Sequence, residues 1–528
     1  MNFKKIKLLI SCLILIFNIF VFNVGKSSGQ QNVLLIIADD LGIDYSPNYN
    51  SPLDLPPTPT LDKLIEEGVL FENVWANPLC SPTRSSILFG RYGFRTGVGA
   101  PVGGADKPGP SLNEYSLSKT ISELSVHEYS TASVGKWHLS TNKNGDINHP
   151  NLVGFNHFSG NLKGDVLDYF DYEKVVNGET RQVLNYASTE TVNDAISWLG
   201  EQNNPWFLWL AFNAVHIPFH KPPDSLHSYD YLPETIGDDD DPTPYFKAAI
   251  EAMDTEMGRL LNYLKASGEY ENTNIIYIGD NGTPIKVTQQ PFVKAHSKGT
   301  LYEGGIHVPM VVSGPAVINK GRTTNALIGV LDIFETVANL VEIPVESNFP
   351  NTVDSKSFIE ILENNSNVHR NFLYSELFGN DKDNGTTVRN MDYHLIIFEN
   401  ETEEFYHLPS DIYERNNLLD FELSEEQQTN YILLKENIKS IKNPATILQD
   451  LSNNIHEFTI EKYDNNSYIF EFAKNHLKGE LTIYDLSGRV LHKRKIESTR
   501  NRIYLPQKSQ SKIAIIENNG LTSTKKFN

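Results

Sequence analysis

Cysteine is nearly absent. The 528 residues hold two, Cys12 and Cys80, and Cys12 lies in an apolar N-terminal stretch with the marks of a removable leader. A chain left with Cys80 alone cannot form an internal disulfide, so its stability has to come from a packed core. Long apolar runs are also missing beyond the leader, so the mature chain is expected to be soluble. Cations are short as well: 45 Lys and Arg face 66 Asp and Glu, for a formal net charge of −21. Residues 451–528 hold 13 basic against 8 acidic residues, a net of +5, so the rest of the chain carries −26. An acidic body argues against nucleic-acid binding. Any anionic substrate would have to be met by a local cluster of cations.

What is present is an ordinary globular composition. With 39% hydrophobic and 11% aromatic residues, the chain can bury a sizeable core, and its length fits one large domain plus smaller ones. Residues 1–29 read as a signal peptide. Lys4, Lys5 and Lys7 precede an apolar run from Ile6 to Val24, and Ser27-Ser28-Gly29 offers a small-residue cleavage site. An uncleaved anchor is the alternative.

Between residues 30 and 370, apolar stretches that end in polar or glycine-rich residues alternate with helical patterns. The stretches are "NVLLIIADD", "TASVGKWHL", "WFLWLAFNAVHIPF", "NTNIIYIGDNG" and "VPMVVSGP"; the helical patterns include "TPTLDKLIEEGVLF" and "YFKAAIEAMDTEMGRLLNYLKASG". This alternation implies an α/β fold with a mostly parallel sheet flanked by helices. In such sheets functional groups collect beyond the carboxyl ends of the strands. Residues 371–445 read as a small antiparallel subdomain with a polar helix. Residues 446–528 read as a linker and an all-β module. The Asp238–Asp241 run reads as a solvated loop.

Four oxygen donors follow two of the apolar strands: Asp39 and Asp40, then Asp280 and Asn281. Three carboxylates and an amide, without a His or Cys cluster, suit a hard cation such as Ca²⁺ or Mg²⁺. Turn and capping acids are the plainer alternative. Cys80 stands before a helix start, with Ser81 expected as N-cap and Pro82 as first helical residue. A helix N-terminus favours an anion at residue 80, and Arg84 adds a planar bidentate donor for an oxyanion. A buried, inert cysteine is the competing reading. Lys136 and His138, His216, and His296 and Lys298 follow three further apolar strands or loops and supply cations and proton carriers.

Taken in order, these segments resemble the type I sulfatases of the alkaline phosphatase superfamily. C-S-P-T-R at 80–84 matches their C-x-P-x-R core, whose cysteine a maturase converts to Cα-formylglycine. "ADD", "GKWHL", "AVHIPF", "GDNG", "KGTLYEGGIHVP" and "DIYERNNL" (411–418) match further blocks. The resemblance covers about residues 31–420. It implies one Ca²⁺ held by Asp39, Asp40, Asp280, Asn281 and the residue-80 side chain, and a sulfate pocket lined by Arg84, Lys136, His138, His216 and Lys298. It further implies that Asp280 assists an attacking hydroxyl on residue 80, that His216 with Lys298 protonates the leaving alcohol, and that His138 takes the proton whose removal expels sulfate. Two positions depart from the family: Phe89 stands where Thr or Ser is usual, which bears on cysteine maturation. His307 stands where Arg is common, which bears on packing or substrate contacts.

The tail, with "LTIYDLSGRVLHKRKI" and "GLTSTKKFN", resembles the C-terminal sorting domain of the Bacteroidetes type IX secretion system, a β-sandwich-like module. A carbohydrate-binding β-sandwich is its alternative. The expected protein is therefore secreted or held at the cell surface after passing the periplasm. Its expected partners are the maturase, the secretion machinery and a sulfated carbohydrate, an algal polysaccharide such as ulvan among the candidates. A phosphodiesterase or phosphonate hydrolase of the same superfamily is the competing enzyme. An inactive carbohydrate-binding protein is the competitor from another class.

Overall fold

A computed structural model describes residues 30–442, apart from 50–51, 104–106, 108, 344–352 and 381–382, together with strands between 458 and 527. The expected signal peptide (1–29) and residues 443–457, which take in the start of the linker expected from 446, lie outside the described residues.

The apolar runs do become strands. The main sheet holds β1 (Asn32–Ala38), β2 (Gly68–Trp75), β3 (Ser130–Gly135), β4 (His157–Gly160), β5 (Tyr172–Val176), β6 (Glu179–Val183), β7 (Trp206–Ala211), β8 (Thr273–Gly279), β9 (Met310–Ser313) and β10 (Arg322–Gly329). Their order is β10-β2-β9-β8-β1-β7-β3-β4-β5-β6. The central strands β8, β1, β7, β3 and β4 run parallel, and β9, β5 and β6 pair antiparallel.

A continuous apolar run is what a strand covered on both faces requires, because successive side chains point to opposite sides. Along β1, Val33, Leu35 and Ile37 join one core cluster while Leu34, Ile36 and Ala38 join another. The first cluster includes Ile121 and Val337 from the helices Leu117–Leu124 and Asp332–Leu340. The second includes Val192 and Met257 from Ala187–Leu199 and Thr243–Ser267.

One helical pattern is cut short. The helix ends at Glu66, and "GVLF" opens β2 instead of extending it. Gly68 explains the break: a Cβ there would sit 2.3 Å from the Val312 carbonyl of β9. Only a bare backbone lets β2 enter between β9 and β10.

The smaller antiparallel sheet holds β11 (Leu373–Leu377), β12 (Gly385–Arg389), β13 (Tyr393–Phe398) and β14 (Glu403–His407), in that order. The helix Glu425–Lys442 packs Leu434 and Ile438 against Val388, Leu395 and Phe405 of this sheet. Seven strands between Phe458 and Phe527 pair antiparallel in sheets of three and four strands, in line with an all-β tail. Asp238–Asp241 is exposed, and Asp241 accepts from the Thr243 amide at the start of the long helix (3.0 Å). Among the described residues, no helix is long and apolar enough to cross a membrane.

Candidate active site and metal centre

The four oxygen donors meet because of strand register. β1 and β8 lie side by side in parallel with Ala38 opposite Gly279, so both strands end at the same level. Asp39, Asp40, Asp280 and Asn281 follow at once and are all buried. Asp40 takes a left-handed conformation (φ 64°), and its amide donates to Asp280 Oδ1 (3.1 Å). On the other side of β1, the turn after β7 exchanges backbone bonds with Asp39 through Ala214 and Val215 (2.9 and 2.7 Å). That turn carries His216 to the same end of the sheet. β3 brings Lys136 and His138.

Cys80 lies at the first turn of a helix, but the expected cap is not the one used. The helix runs Cys80–Phe89 with Leu79 as N-cap and no side-chain cap bond. Ser81 is committed elsewhere: its hydroxyl donates to the His138 carbonyl (2.8 Å) and accepts from the Val102 amide (2.9 Å). Pro82 is thus the third helical residue, where a missing N–H still costs no intrahelical bond. Every residue of this helix is buried, Phe89 among the main core. Phe89 therefore acts as a packing residue.

Arg84, one turn in, is fully buried. It donates from Nε and Nη2 to Asp280 Oδ2 (3.0 and 2.8 Å) and from Nη1 to the Lys136 carbonyl (2.7 Å). Lys136 pairs with Asp39, and Lys298 pairs with Asp40 at 2.5 Å. Lys298 is the least buried of the three, at 18% exposure. His138 Nδ1 lies 3.1 Å from Cys80 Sγ. His216 Nδ1–H donates to the Ile217 carbonyl (2.8 Å), which leaves Nε2 facing Asp40 at 3.7 Å. All of the expected site residues are thus brought together. His296 is turned away and stacks on Tyr302 at 3.6 Å. His307 pairs with Glu303 (2.7 Å) and the Glu72 carbonyl (2.8 Å), which makes it a packing residue.

Three carboxylates face three cations, yet the balance is uneven. Burial, then the Asp280 carboxylate, pushes Asp39 well above the usual carboxylate range. Burial acts on Asp40 in the same sense, but Lys298 and His216 outweigh it and hold Asp40 well below that range. Burial, then Lys136 and Arg84, pushes His138 far down. Burial also lowers His216 to about 4, so both histidines are neutral near pH 7.

The residues fit a hard cation. Asp39 Oδ1 and Asn281 Oδ1 are buried and have no hydrogen-bond partner. Ligand atoms of Asp39, Cys80 and Asp280 lie within 4.8 Å of one another. Buried oxygens without partners are costly unless something positive meets them.

Several supporting residues carry no local sequence signal. Thr283 donates to Asp44 (2.5 Å) and accepts from the Gly42 amide (3.1 Å), tying the loop after β1 to the loop after β8. The Lys298 amide donates to the Thr283 carbonyl (3.0 Å). Tyr169 places its hydroxyl 2.6 and 2.7 Å from the carbonyls of Asn213 and His216. Trp137, between Lys136 and His138, donates from its indole to His149 Nδ1 (2.9 Å).

His149 is therefore held neutral, and burial, then Lys119, lowers it to about 4. Its unfolded form binds a proton below about 6.5 and its folded form only below about 4, so stability falls as pH drops through that window. The loss is on the order of 3 kcal/mol when the window is crossed. Thermal melting from pH 7 to 4 should fall more steeply in the wild type than in His149→Gln. Equal slopes would contradict this.

Cations gathered around carboxylates at the carboxyl end of a parallel sheet suit a substrate that carries an oxyanion, such as an anionic ester. Comparison with known proteins narrows the class. The sulfatase family model matches residues 31–343, more than half of the chain. The model for the C-terminal region of N-sulphoglucosamine sulphohydrolase matches 294–443. The chain is 29% identical over 337 residues to arylsulfatase J of Mus musculus, covering 60% of this chain and 53%, about half, of that relative. It is 26% identical over 409 residues to N-acetylgalactosamine-6-sulfatase of Rattus norvegicus, covering 71% and 73%. The crystal structure of Ps i-CgsB in complex with k-i-k-neocarrahexaose shares the fold, with a TM-score of 0.65 at 24% identity over 78% of this chain and 92% of that one. The chain belongs to the sulfatase family. It is a sulfuric ester hydrolase.

Proposed function

We propose that the protein removes sulfate from a sulfated polysaccharide or oligosaccharide, with residue 80 matured to formylglycine and one Ca²⁺ bound. The observation that carries this is the pair of buried, unpartnered oxygens, Asp39 Oδ1 and Asn281 Oδ1, in the cluster that holds Cys80 and Asp280. Asp39, Asp40, Asp280, Asn281 and residue 80 would hold the ion, which supplies charge neutralisation at the sulfuryl oxygens. The hydrated aldehyde supplies two hydroxyls, one to attack sulfur and one to lose a proton.

The chain's own groups do the rest. Asp280, in the same cluster as residue 80, receives the proton of the attacking hydroxyl. Arg84, Lys136 and Lys298 stabilise charge on the transferring group. His216 is neutral with a bare Nε2, so the proton comes from Lys298, whose ammonium Asp40 keeps protonated against burial, and the Lys298–His216 pair passes it to the leaving oxygen. His138, neutral and 3.1 Å from the residue-80 side chain, accepts the proton of the remaining hydroxyl.

A saccharide substrate is supported by the name of the rat relative and by the neocarrahexaose bound to the structural neighbour. We further propose that the enzyme works outside the cytoplasm, at the cell surface or in the medium, with the leader and a type IX sorting tail directing export. These two proposals rest on the sequence.

Full-length protein co-expressed with a maturase should hydrolyse 4-nitrophenyl sulfate at least about 100-fold better than 4-nitrophenyl phosphate, since a site matched to one transition state gains several kcal/mol. The peptide containing residue 80 should have the mass of the aldehyde or its hydrate. Preference for the phosphate ester, or full activity with unmodified cysteine, would overturn the reading.

A further inference from the structure

We propose that residues 163–170, with Ile217, form the subsite for the sugar ring that carries the scissile sulfate. This rests on the sulfatase reading above and adds the surface that selects the alcohol.

The segment is pinned against both catalytic histidines. Gly164 runs over the face of the His138 ring so closely that a Cβ would lie 2.4 Å from Cε1 and 2.6 Å from Nε2. Five residues later, the Tyr169 hydroxyl reaches the Asn213 and His216 carbonyls, and its ring stacks on His220 at 3.8 Å. The segment therefore spans from one histidine to the other.

Its inward residues meet all the needs of the fold. Val166 and Tyr169 are buried and pack with Tyr172, Val183 and Tyr186. Leu167, between them, is 88% exposed, Phe170, just after Tyr169, is 40% exposed, and Ile217, next to His216, is 45% exposed. Lys163, Asp165 and Asp168 are exposed on the same segment. Leu167 and Ile217, large apolar side chains left in water beside a catalytic group, mark a binding surface, and Phe170, though its ring packs against Tyr186 and His220 (5.3 and 6.2 Å), keeps 40% of its surface open.

The leaving oxygen fixes what lands there. It must approach His216 Nε2, because Nδ1 is held by the Ile217 carbonyl. The sugar bonded to that oxygen is carried to the rim beside Ile217. A pyranose ring offers an apolar C–H face and polar edges. Leu167, Phe170 and Ile217 match the face, while Asp165 and Asp168 can accept from ring hydroxyls and Lys163 can meet a second anionic group of a sulfated chain.

The test uses matured full-length enzyme and the variants Leu167→Ser, Phe170→Ser and their double. Substrates are sulfated oligosaccharides of carrageenan, of ulvan and of N-acetylgalactosamine 6-sulfate, and inorganic sulfate, which has no ring to reach the rim, is the competing ligand. On the best-cleaved oligosaccharide, the double variant should raise KM about tenfold with kcat nearly unchanged. Its inhibition constant for inorganic sulfate should change less than about twofold, and Leu167→Ser, at a position 88% exposed, should keep the wild-type melting temperature. Unchanged oligosaccharide KM overturns the subsite and leaves the sulfatase reading standing. Equal weakening of the oligosaccharide and of inorganic sulfate also overturns it, since the segment would then act only by positioning His138. A wild-type enzyme inert on every sulfate ester overturns both.

Discussion

Cys80→Ser should turn over 4-nitrophenyl sulfate at less than about 1% of the wild-type rate, the scale of loss when a nucleophile and its proton relay are disabled. The substitution is gentle on the fold. Serine fits the space, tolerates the first turn of the helix, and can hydrogen-bond His138 Nδ1, which lies 3.1 Å from Sγ. What serine lacks is a second hydroxyl on the same carbon. His138 would have no proton to take, and the route that expels sulfate while regenerating the starting residue would close. The pocket should still bind anions, since Arg84, Lys136 and Lys298 are untouched. Sulfate inhibition or substrate binding by calorimetry should therefore persist while steady-state turnover disappears. Near-wild-type multiple turnover by the serine variant would sink the two-hydroxyl account.

Which parts of this site could be read in the sequence follows from the range of the forces involved. An apolar strand ending in "ADD" or "GDNG" is a local pattern, and a strand flanked by helices on both faces forces it. The meeting of Asp40 with Asp280 is not local, because β1 and β8 are adjacent strands separated by some 240 residues of chain. Two strands that each end in acids suggested it, with turn and capping acids as the alternative, and the similarity of the ordered motifs to a family favoured it. The N-cap was misread for a related reason. Ser81 is a good cap by local preference, but its hydroxyl is claimed by the His138 carbonyl and the Val102 amide, both distant in sequence. Gly68 looked like part of a helix because the close approach of β9 that demands it is invisible from its neighbours. Tyr169, Gly164 and the Thr283–Asp44 pair were missed because each is an ordinary residue in an ordinary loop until the tertiary structure sets it against a catalytic group.

Asp280→Asn should abolish a calcium-dependent rise in melting temperature and lower stability even without the ion. The carboxylate does two jobs. Oδ2 accepts both Nε and Nη2 of Arg84, and Oδ1 accepts the Asp40 amide at 3.1 Å. An asparagine amide has one acceptor end, so whichever way it turns, its NH₂ meets a donor. Arg84 is fully buried, and its remaining bond runs to the neutral Lys136 carbonyl. Removing one partner of a buried ion pair costs roughly 3–5 kcal/mol, mostly from the charge left behind. Calcium adds a separate signature. An ion present at 100 times its Kd stabilises the folded state by about 2.7 kcal/mol, so wild-type melting should drop with a chelator and recover with Ca²⁺. In Asp280→Asn the unliganded protein should already melt lower, and added Ca²⁺ should move it little, because Asp39, Asp40 and Asn281 no longer have a third carboxylate to complete a charged oxygen set. The two effects are measured independently of turnover. A variant that keeps the wild-type Ca²⁺ shift would remove Asp280 from the metal centre, and one that melts like the wild type in chelator would show that Arg84 does not depend on it.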